Sequence, residues 1–88
     1  MAEQPVLQPS DVAVLIPALN EALRIREVVT GALAFSANVI VVDDGSTDGT
    51  AQCIADLPVI LLRHAQRQGK GQALRDGFAE AQIGRAHV

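Results

Sequence analysis

The stretch Val39–Thr50 reads VIVVDDGSTDGT and decides the fold. Its four consecutive β-branched residues, Val39 to Val42, predict a strand that is buried on both faces. Two carboxylates, Asp43 and Asp44, follow directly and lead into a glycine-containing turn. Because ligands of open α/β sheets bind at the carboxyl ends of the strands, these two acids are candidate binding groups.

Apolar runs and amphipathic segments alternate on both sides of this strand. Val12–Ile16 and Val59–Leu62 are uninterrupted apolar runs that predict two more buried strands. One helix is predicted to begin at Asn20 as its N-cap, a short one follows the acidic turn, and a third spans Lys70–Gln82. The residues predicted for the apolar face of this last helix are Ala73, Leu74, Phe78 and Ala81. The order β-α-β-α-β-α predicts an α/β fold, a three-layer α/β/α domain with a parallel, Rossmann-like sheet.

The composition excludes several classes of function. Eighty-eight residues make at most one small domain, and 49% hydrophobic with 19% charged residues is typical of a folded chain. Aromatic residues are 2% of the chain and the net charge is −3, so we expect no nucleic-acid partner. Cys53 is the single cysteine, which excludes an internal disulfide and a multi-cysteine metal site.

The amino-terminal residues carry no targeting signal. The stretch MAEQPVLQPSD contains two prolines and has neither a basic segment nor an apolar core, so it does not resemble a signal peptide. No apolar run approaches the ~20 residues that span a bilayer. We therefore expect a flexible lead over residues 1–10 and a cytoplasmic location.

Three loops are predicted to leave the carboxyl ends of the three strands, over Pro17–Glu21, Asp43–Thr50 and His64–Gly71. They share one edge of a parallel sheet and supply carboxylates, backbone N–H groups beside glycines, and Lys70. A base and a ribose need hydrogen-bond acceptors, whereas a diphosphate needs backbone donors and positive charge. The edge therefore suits a nucleotide. His64 is interpreted as a strand-end histidine, since the sequence shows no nucleophile to pair with it.

Several better-known motifs fail on spacing. RQGKGQA lacks the first glycine and the final Ser or Thr of a phosphate-binding P-loop, and DDGSTDG is not a dinucleotide-binding G-x-G-x-x-G. The run from Asp44 imitates the start of an EF-hand loop, but its twelfth position is Ala55 rather than Glu. A receiver-type signalling domain is the weaker alternative, because its acidic pair would follow the first strand.

Three segments in order resemble a known family: VLIPALNEALRIREVV, VIVVDDGSTDGT and QGKGQALRDGF. Together they are similar to the amino-terminal half of the family 2 glycosyltransferases, which include dolichyl-phosphate mannosyltransferase and polysaccharide synthases. The resemblance covers Val12 to about Gln82. It implies that residues 11–82 form a partial GT-A domain, the nucleotide-binding half of an enzyme that moves a sugar from a nucleoside diphosphate sugar to an acceptor.

The resemblance also implies a nucleotide-binding set from the ends of all three strands. Its members are Pro17, Leu19, Glu21, Val42, Asp43, Asp44, Lys70, Gly71 and Ala73. The first three would line the base and ribose pocket, and the last three would lie beside the nucleotide. Asp44 would accept a hydrogen bond from the base, Asp43 would support its loop, and Val42 would reach the base through its backbone. Leu19 and Arg67 depart from the family pattern, which often has Tyr and Asn at these positions.

The catalytic part of the family pattern is missing from these residues. The resemblance implies Mg²⁺ or Mn²⁺, held by a later D-x-D motif, to neutralise the leaving diphosphate. The chain contains no D-x-D, so no catalytic or metal-binding residue is assigned and the fragment is expected to be inactive alone. Membrane association would come only from missing segments. A non-catalytic nucleotide-binding module is the alternative function.

The last six residues carry a different signal. Residues 83–88 read IGRAHV, which ATC GGA AGA GCA CAC GTC encodes, and that string resembles a common sequencing-library adapter. We interpret these residues as a non-native tail.

Overall fold

The computed structural model describes residues 12–86 and confirms the predicted alternation of strands and helices. In chain order the elements are β1 (Ala13–Ala18), α1 (Ile25–Phe35), β2 (Asn38–Asp44), a 3₁₀ turn (Ala51–Ile54), β3 (Ile60–His64) and α2 (Lys70–Ala86). The short second helix of the prediction is thus a single 3₁₀ turn. The lead expected over residues 1–10, and residues 87–88 of the expected tail, lie outside the described residues.

The three strands form one parallel sheet in the order β1-β2-β3. The central strand, β2, is buried at every position after Asn38, as its apolar run predicts. The register sets Ala18 beside Asp43 and Asp44 beside His64, so the carboxyl ends of all three strands meet at one edge. This arrangement is a partial α/β, Rossmann-like sheet, which is consistent with the partial GT-A domain expected from the sequence.

Alternate residues of β2 face opposite sides of the sheet, and each side has its own apolar core. One side packs on α1 and the 3₁₀ turn through a cluster of Ala18, Ile25, Val29, Val39, Val41 and Ile54. The other side packs on α2 through a smaller cluster of Ile40, Val42 and Ala73. Each fully buried Val or Ile contributes about 2 kcal/mol of transfer free energy. The two layers of helix and turn therefore hold β2 between them.

The predicted apolar face of α2 is wrong in part. Ala73 is fully buried, but Leu74 and Phe78 are 40% and 58% exposed. The helix is rotated so that Gly77 faces the sheet, where a Cβ atom would overlap the side chain of Leu15. The absence of a side chain at this position lets α2 approach β1 and β2 more closely than a leucine-lined face would.

The start of α1 also differs from the prediction. Asn20 is not its N-cap, since the helix begins at Ile25 and no side chain caps it. Asn20 instead adopts a left-handed backbone conformation (φ 53°), which Asn tolerates better than most residues. Its N–H donates to Ser46 Oγ at 2.8 Å and its Oδ1 accepts from Thr47 N–H at 2.9 Å. Asn20 therefore joins two loops instead of starting a helix.

The longest helix, α2, has 17 residues and runs to Ala86, past the predicted end at Gln82. Even so, no helix within residues 12–86 combines the length and the apolar character that crossing a bilayer needs. The cytoplasmic location expected from the sequence stays a prediction.

Candidate functional site

A cleft of about 280 Å³ opens at the carboxyl edge of the sheet. Loop 1 (residues 19–24) and loop 3 (residues 65–69) contribute to its lining, whereas loop 2 (residues 45–50) is hydrogen-bonded to loop 1 and supplies none of the lining residues. The lining residues are Pro17, Ala18, Leu19, Glu21, Asp44, Arg67, Lys70 and Ala73. Six of these were predicted from the sequence, namely Pro17, Leu19, Glu21, Asp44, Lys70 and Ala73. The prediction missed Ala18, which ends β1, and Arg67, whose departure from the family pattern was the one available signal.

The other three predicted residues lie behind or beside the cleft. Val42 is buried in the core between the sheet and α2, and Asp43 is buried on the opposite face of β2. Gly71 lies in the first turn of α2 near the guanidinium of Arg75. Their part in nucleotide binding stays a prediction.

Loop 1 and loop 2 are tied together by side chains of loop 2. Thr50 Oγ1 accepts from the N–H of Glu21 at 2.9 Å, and Asp48 Oδ2 accepts from the N–H of Ala22 at 3.1 Å. Asp48 also accepts from the hydroxyl and the backbone N–H of Thr50, and the bond from the hydroxyl lowers the pKa of the Asp48 carboxyl. Asp48 thus acts as a turn residue and holds the rim of the cleft.

Asp43 supports loop 2 from the far side of the sheet. Its Oδ1 accepts from the N–H of Ser46 at 3.1 Å, and its Oδ2 lies 3.7 Å from Nε of Arg63 on β3. The register explains the second contact, since residues paired in parallel strands share a face and Asp43 pairs with Arg63. The carboxylate is therefore used inside the protein, where it binds the backbone of loop 2.

Asp44 ties loop 3 to the end of β2. Its Oδ1 accepts from His64 Nδ1 at 2.7 Å and from Gln68 N–H at 2.8 Å, and its Oδ2 accepts from Gly69 N–H at 2.9 Å. These bonds, that from His64 foremost, lower the pKa of Asp44. Each carboxylate oxygen offers about two acceptor positions, so Oδ2 keeps one for a ligand in the cleft.

His64 continues this network from Asp44 to α2. Its Nε2 lies 2.6 Å from Asp76 Oδ2, and its side chain is only 9% exposed. Asp76 Oδ1 in turn accepts from Gln72 Nε2 at 2.7 Å. The parallel register of β2 and β3 would have indicated the contact between His64 and Asp44. No sequence signal indicated Asp76, because that contact depends on where α2 lies over the sheet.

Gly45 allows loop 3 to cross closely over loop 2. Its φ is +80°, and a Cβ atom there would lie 2.6 Å from the backbone N of Arg67 and 2.8 Å from the carbonyl carbon of Gln66. Real Cβ atoms essentially never come so close to backbone. Position 45 therefore requires glycine for two reasons: the positive φ disfavours other residues, and a Cβ atom would overlap the backbone of loop 3.

Three charged side chains at the cleft have no partner within the protein as described. Among residues 12–81, no hydrogen bond or ion pair engages the carboxylate of Glu21, the guanidinium of Arg67 or the ammonium of Lys70. By contrast, the carboxylates of Asp43, Asp44 and the other loop acids bind groups of the protein itself. The cleft therefore presents two cations and one carboxylate that are available to a ligand, among loops that hydrogen bonds hold together.

The described residues do not fit the Mg²⁺ or Mn²⁺ ion that the resemblance implies. Within residues 12–86 no three His, Cys, Asp or Glu side chains are arranged to hold a metal ion. Asp43 and Asp44 are instead engaged by N–H groups and by His64, as their hydrogen bonds show.

Comparison with known proteins gives a consistent result. The family described as glycosyl transferase family 2 matches residues 13–83. Dolichyl-phosphate beta-glucosyltransferase of Saccharomyces cerevisiae is 32% identical over 83 residues, covering 75% of this chain and 25% of that protein. Glycosyltransferase AglJ of Haloferax volcanii is 39% identical over 73 residues, covering 82% of this chain and 24% of that protein. No solved structure gives a significant match.

A second dolichyl-phosphate beta-glucosyltransferase, from Dictyostelium discoideum, is 31% identical over 84 residues, or 75% of this chain and 26% of that protein. The chain thus spans about a quarter of the length of these curated relatives. The matched family region includes all three strands and every residue that lines the cleft. This chain therefore belongs to glycosyl transferase family 2.

Proposed function

We propose that the cleft binds the nucleoside diphosphate of a nucleotide-sugar donor, and that the whole protein transfers the sugar to an acceptor. Membership of the family supports the reaction class, and the relatives named as dolichyl-phosphate beta-glucosyltransferases and a glycosyltransferase support the same class. The observation that carries the proposal is the cleft itself, with unpartnered charges of both signs on a hydrogen-bonded frame.

The chemistry of the lining suits the parts of a nucleotide. Pro17, Leu19 and Ala73 give an apolar surface for a base. Glu21 offers carboxylate oxygens to ribose hydroxyls, which are hydrogen-bond donors. A diphosphate would face the cations of Arg67 and Lys70, since guanidinium and ammonium groups are the side chains that bind phosphate oxygens most strongly.

The frame around these groups limits the cost of binding. Hydrogen bonds join loop 1 to loop 2, and Asp44 joins loop 3 to β2. A ligand would therefore meet loops that are already ordered, and it would lose less free energy to loop ordering than at a flexible site.

The divalent cation is proposed to be held by residues outside 12–86, because the described residues offer no site for it. When bound, Mg²⁺ or Mn²⁺ would neutralise charge on the leaving diphosphate. The chain's own residues would bind and orient the nucleotide, with Asp44 Oδ2 as the remaining acceptor for a base N–H.

The sequence left two alternative functions open. Membership of the family removes the receiver-type signalling domain and leaves the non-catalytic nucleotide-binding module. A receiver-type domain has no support in the comparisons, whereas a non-catalytic nucleotide-binding module shares every feature of the cleft. Assay of the full-length protein with UDP- and GDP-sugars separates the two. Release of UDP or GDP with sugar transfer supports an enzyme, and nucleotide binding without any turnover supports the module.

Neutralising either cation of the cleft is expected to weaken binding of UDP or GDP. Arg67→Gln and Lys70→Gln each remove one charge-assisted contact to the diphosphate, which should raise the dissociation constant about tenfold or more. Isothermal titration of the 88-residue chain with each nucleotide measures the change.

Arg26→Gln is the matched control for the loss of positive charge. Arg26 pairs with Asp56 at 2.7 Å on the α1 side of the sheet, where both side chains are more than half exposed. Its loss should leave the dissociation constant within about twofold, because Arg26 does not line the cleft and its exposed charge is screened by solvent. Equal weakening by Arg26→Gln and Lys70→Gln would show that the cleft cations make no specific contact.

A further inference from the structure

His64 is held between carboxylates from two different elements. Asp44 at the end of β2 lies 2.7 Å from Nδ1, and Asp76 on α2 lies 2.6 Å from Nε2. The histidine ring is itself at the end of β3, so these two bonds join three elements of the fold. We refer to Asp44, His64 and Asp76 as the histidine bridge.

With both carboxylates charged, the geometry favours a ring in which both nitrogens donate. A neutral imidazole has one N–H donor and one lone pair, so in the neutral form one carboxylate would face a lone pair at hydrogen-bond distance. The doubly protonated ring satisfies both carboxylates. The hydrogen bonds that the ring donates to Asp44 and to Asp76 accordingly raise the pKa of His64, Asp44 having the larger effect, and the bond from His64 is the main cause of the lowered pKa of both carboxyls.

Among residues 12–81, Asp44 and Asp76 are the charged groups that contact the ring. From β2 the group that faces the ring is Asp44, and from α2 it is Asp76, whose own neighbours are Gln72 and Arg75. The preceding residue on β3, Arg63, is directed to Asp43 on the other face of the sheet. Loop 3 contributes backbone N–H groups, which bind Asp44 and do not titrate.

The histidine bridge ends in the cleft. Asp44 lines the cleft and also holds the N–H groups of Gln68 and Gly69, directly between Arg67 and Lys70 in the chain. Loss of one ring proton would leave Asp44 or Asp76 facing a lone pair, and either carboxylate would then have to move. A shift of Asp44 would displace the backbone of Gln68 and Gly69, which joins Arg67 of loop 3 to Lys70 at the start of α2.

Resting on the proposed function, we propose that doubly protonated His64 is a positioning residue of the nucleotide site. It holds Asp44 and loop 3 in the binding arrangement, so that nucleotide affinity falls when the ring loses a proton. His64 does not line the cleft, so it acts on the ligand through Asp44.

The direction of the pH dependence follows from the sign of each shift. The pKa of His64 is raised above its ordinary value of 6.5, so the bridge is complete below that value and is lost as the pH rises through the raised one. The pKa values of Asp44 and Asp76 are lowered from their ordinary value of 3.8. These side chains therefore lose their negative charge only when the pH falls below 3.8. Affinity should therefore be highest between these limits.

The test measures binding of UDP-glucose and GDP-mannose to the 88-residue chain across pH. Both are diphosphate diesters whose own charge is constant near neutral pH, so the pH dependence belongs to the protein. His87→Gln is the background, leaving His64 as the only histidine. Between about pH 6 and about pH 8, where the base N–H of both ligands stays protonated, we expect affinity to fall fivefold or more, in parallel with the titration of the His64 ring followed by NMR.

Two variants give the inference its specific readout. Asp76→Asn, which changes no residue of the cleft, should move the midpoint of the affinity profile to lower pH because it removes one of the charges that stabilise the protonated ring. His64→Gln, which cannot titrate, should bind weakly with a flat profile. A steep wild-type profile that moves with Asp76→Asn supports the inference.

The remaining outcomes overturn either this inference or the proposed function. Tight binding with the same flat profile in wild type and His64→Gln would overturn the positioning role and leave the proposed function intact. If neither nucleotide sugar binds at any pH, the proposed function fails, and the positioning role fails with it.

Discussion

Replacing Gly45 with Ala is expected to destabilise the fold more than any other single-methyl substitution in the loops around the cleft. The new Cβ would lie 2.6 Å and 2.8 Å from backbone atoms of loop 3, and the φ of +80° disfavours any L side chain. The strained conformation and the steric overlap together should lower the free energy of unfolding by about 2–5 kcal/mol. Thermal unfolding followed by circular dichroism measures the loss.

Gly49→Ala is the control that separates the free-energy cost of the positive φ from the cost of the steric overlap. Gly49 has a nearly equal φ of +83°, but the nearest atom to its Cβ position is Gln52 Oε1 at 3.8 Å. Gly49→Ala should therefore lower the free energy of unfolding only by the cost of the backbone conformation, about 1–2 kcal/mol. If the two alanine variants unfold at the same temperature, loop 3 does not pass over Gly45 as described.

Replacing Asp44 with Ala is expected to abolish nucleotide binding. The substitution removes the acceptor for His64 and for two N–H groups of loop 3, and it also removes the acceptor proposed for the base. Loss of several charge-assisted bonds at once should raise the dissociation constant for UDP or GDP about a hundredfold or more. Titration calorimetry at a pH near 6 measures the effect while the histidine bridge of the wild type is complete.

Two further variants make this result specific to the site. Asp44→Asn keeps the size of the side chain but leaves one oxygen for three donors, so it should lose binding while retaining more of the fold than Asp44→Ala. Asp56→Ala removes an acid that pairs with Arg26 at the surface, and it should bind nucleotide as the wild type does. A folded Asp44→Ala chain with wild-type affinity would contradict the site assignment.

The sequence predicted the elements because their signals are local. The β-branched run of Val39–Val42 indicated the central strand, and the acids after it indicated the edge at which the cleft lies. Three separate apolar runs joined by helices leave few topologies other than a parallel sheet. Six of the nine predicted residues line one cleft for this reason, since strand ends in such a sheet converge without any further information.

The features that escaped prediction depend on contacts between distant residues. Asn is a residue type that often caps helices. At Asn20, however, the hydrogen bonds to Ser46 and Thr47, which follow it by 26 and 27 positions in the chain, decide the backbone conformation. Leu74 and Phe78 follow a helical repeat, but the close approach of Gly77 to β1 turns them outward. His64 was interpreted as a strand-end histidine, and only the placement of α2 brings Asp76 to its second nitrogen.

The most direct test of the nucleotide site is a titration of the isotope-labelled 88-residue chain with UDP and with GDP, followed by backbone amide NMR. The proposed function predicts saturable shifts at millimolar nucleotide or below, concentrated at Leu19, Glu21, Arg67 and Lys70, while the amides in the last turn of α1, over residues 32–35, stay unchanged. Unchanged spectra with both nucleotides, or shifts spread evenly over the surface, would contradict it.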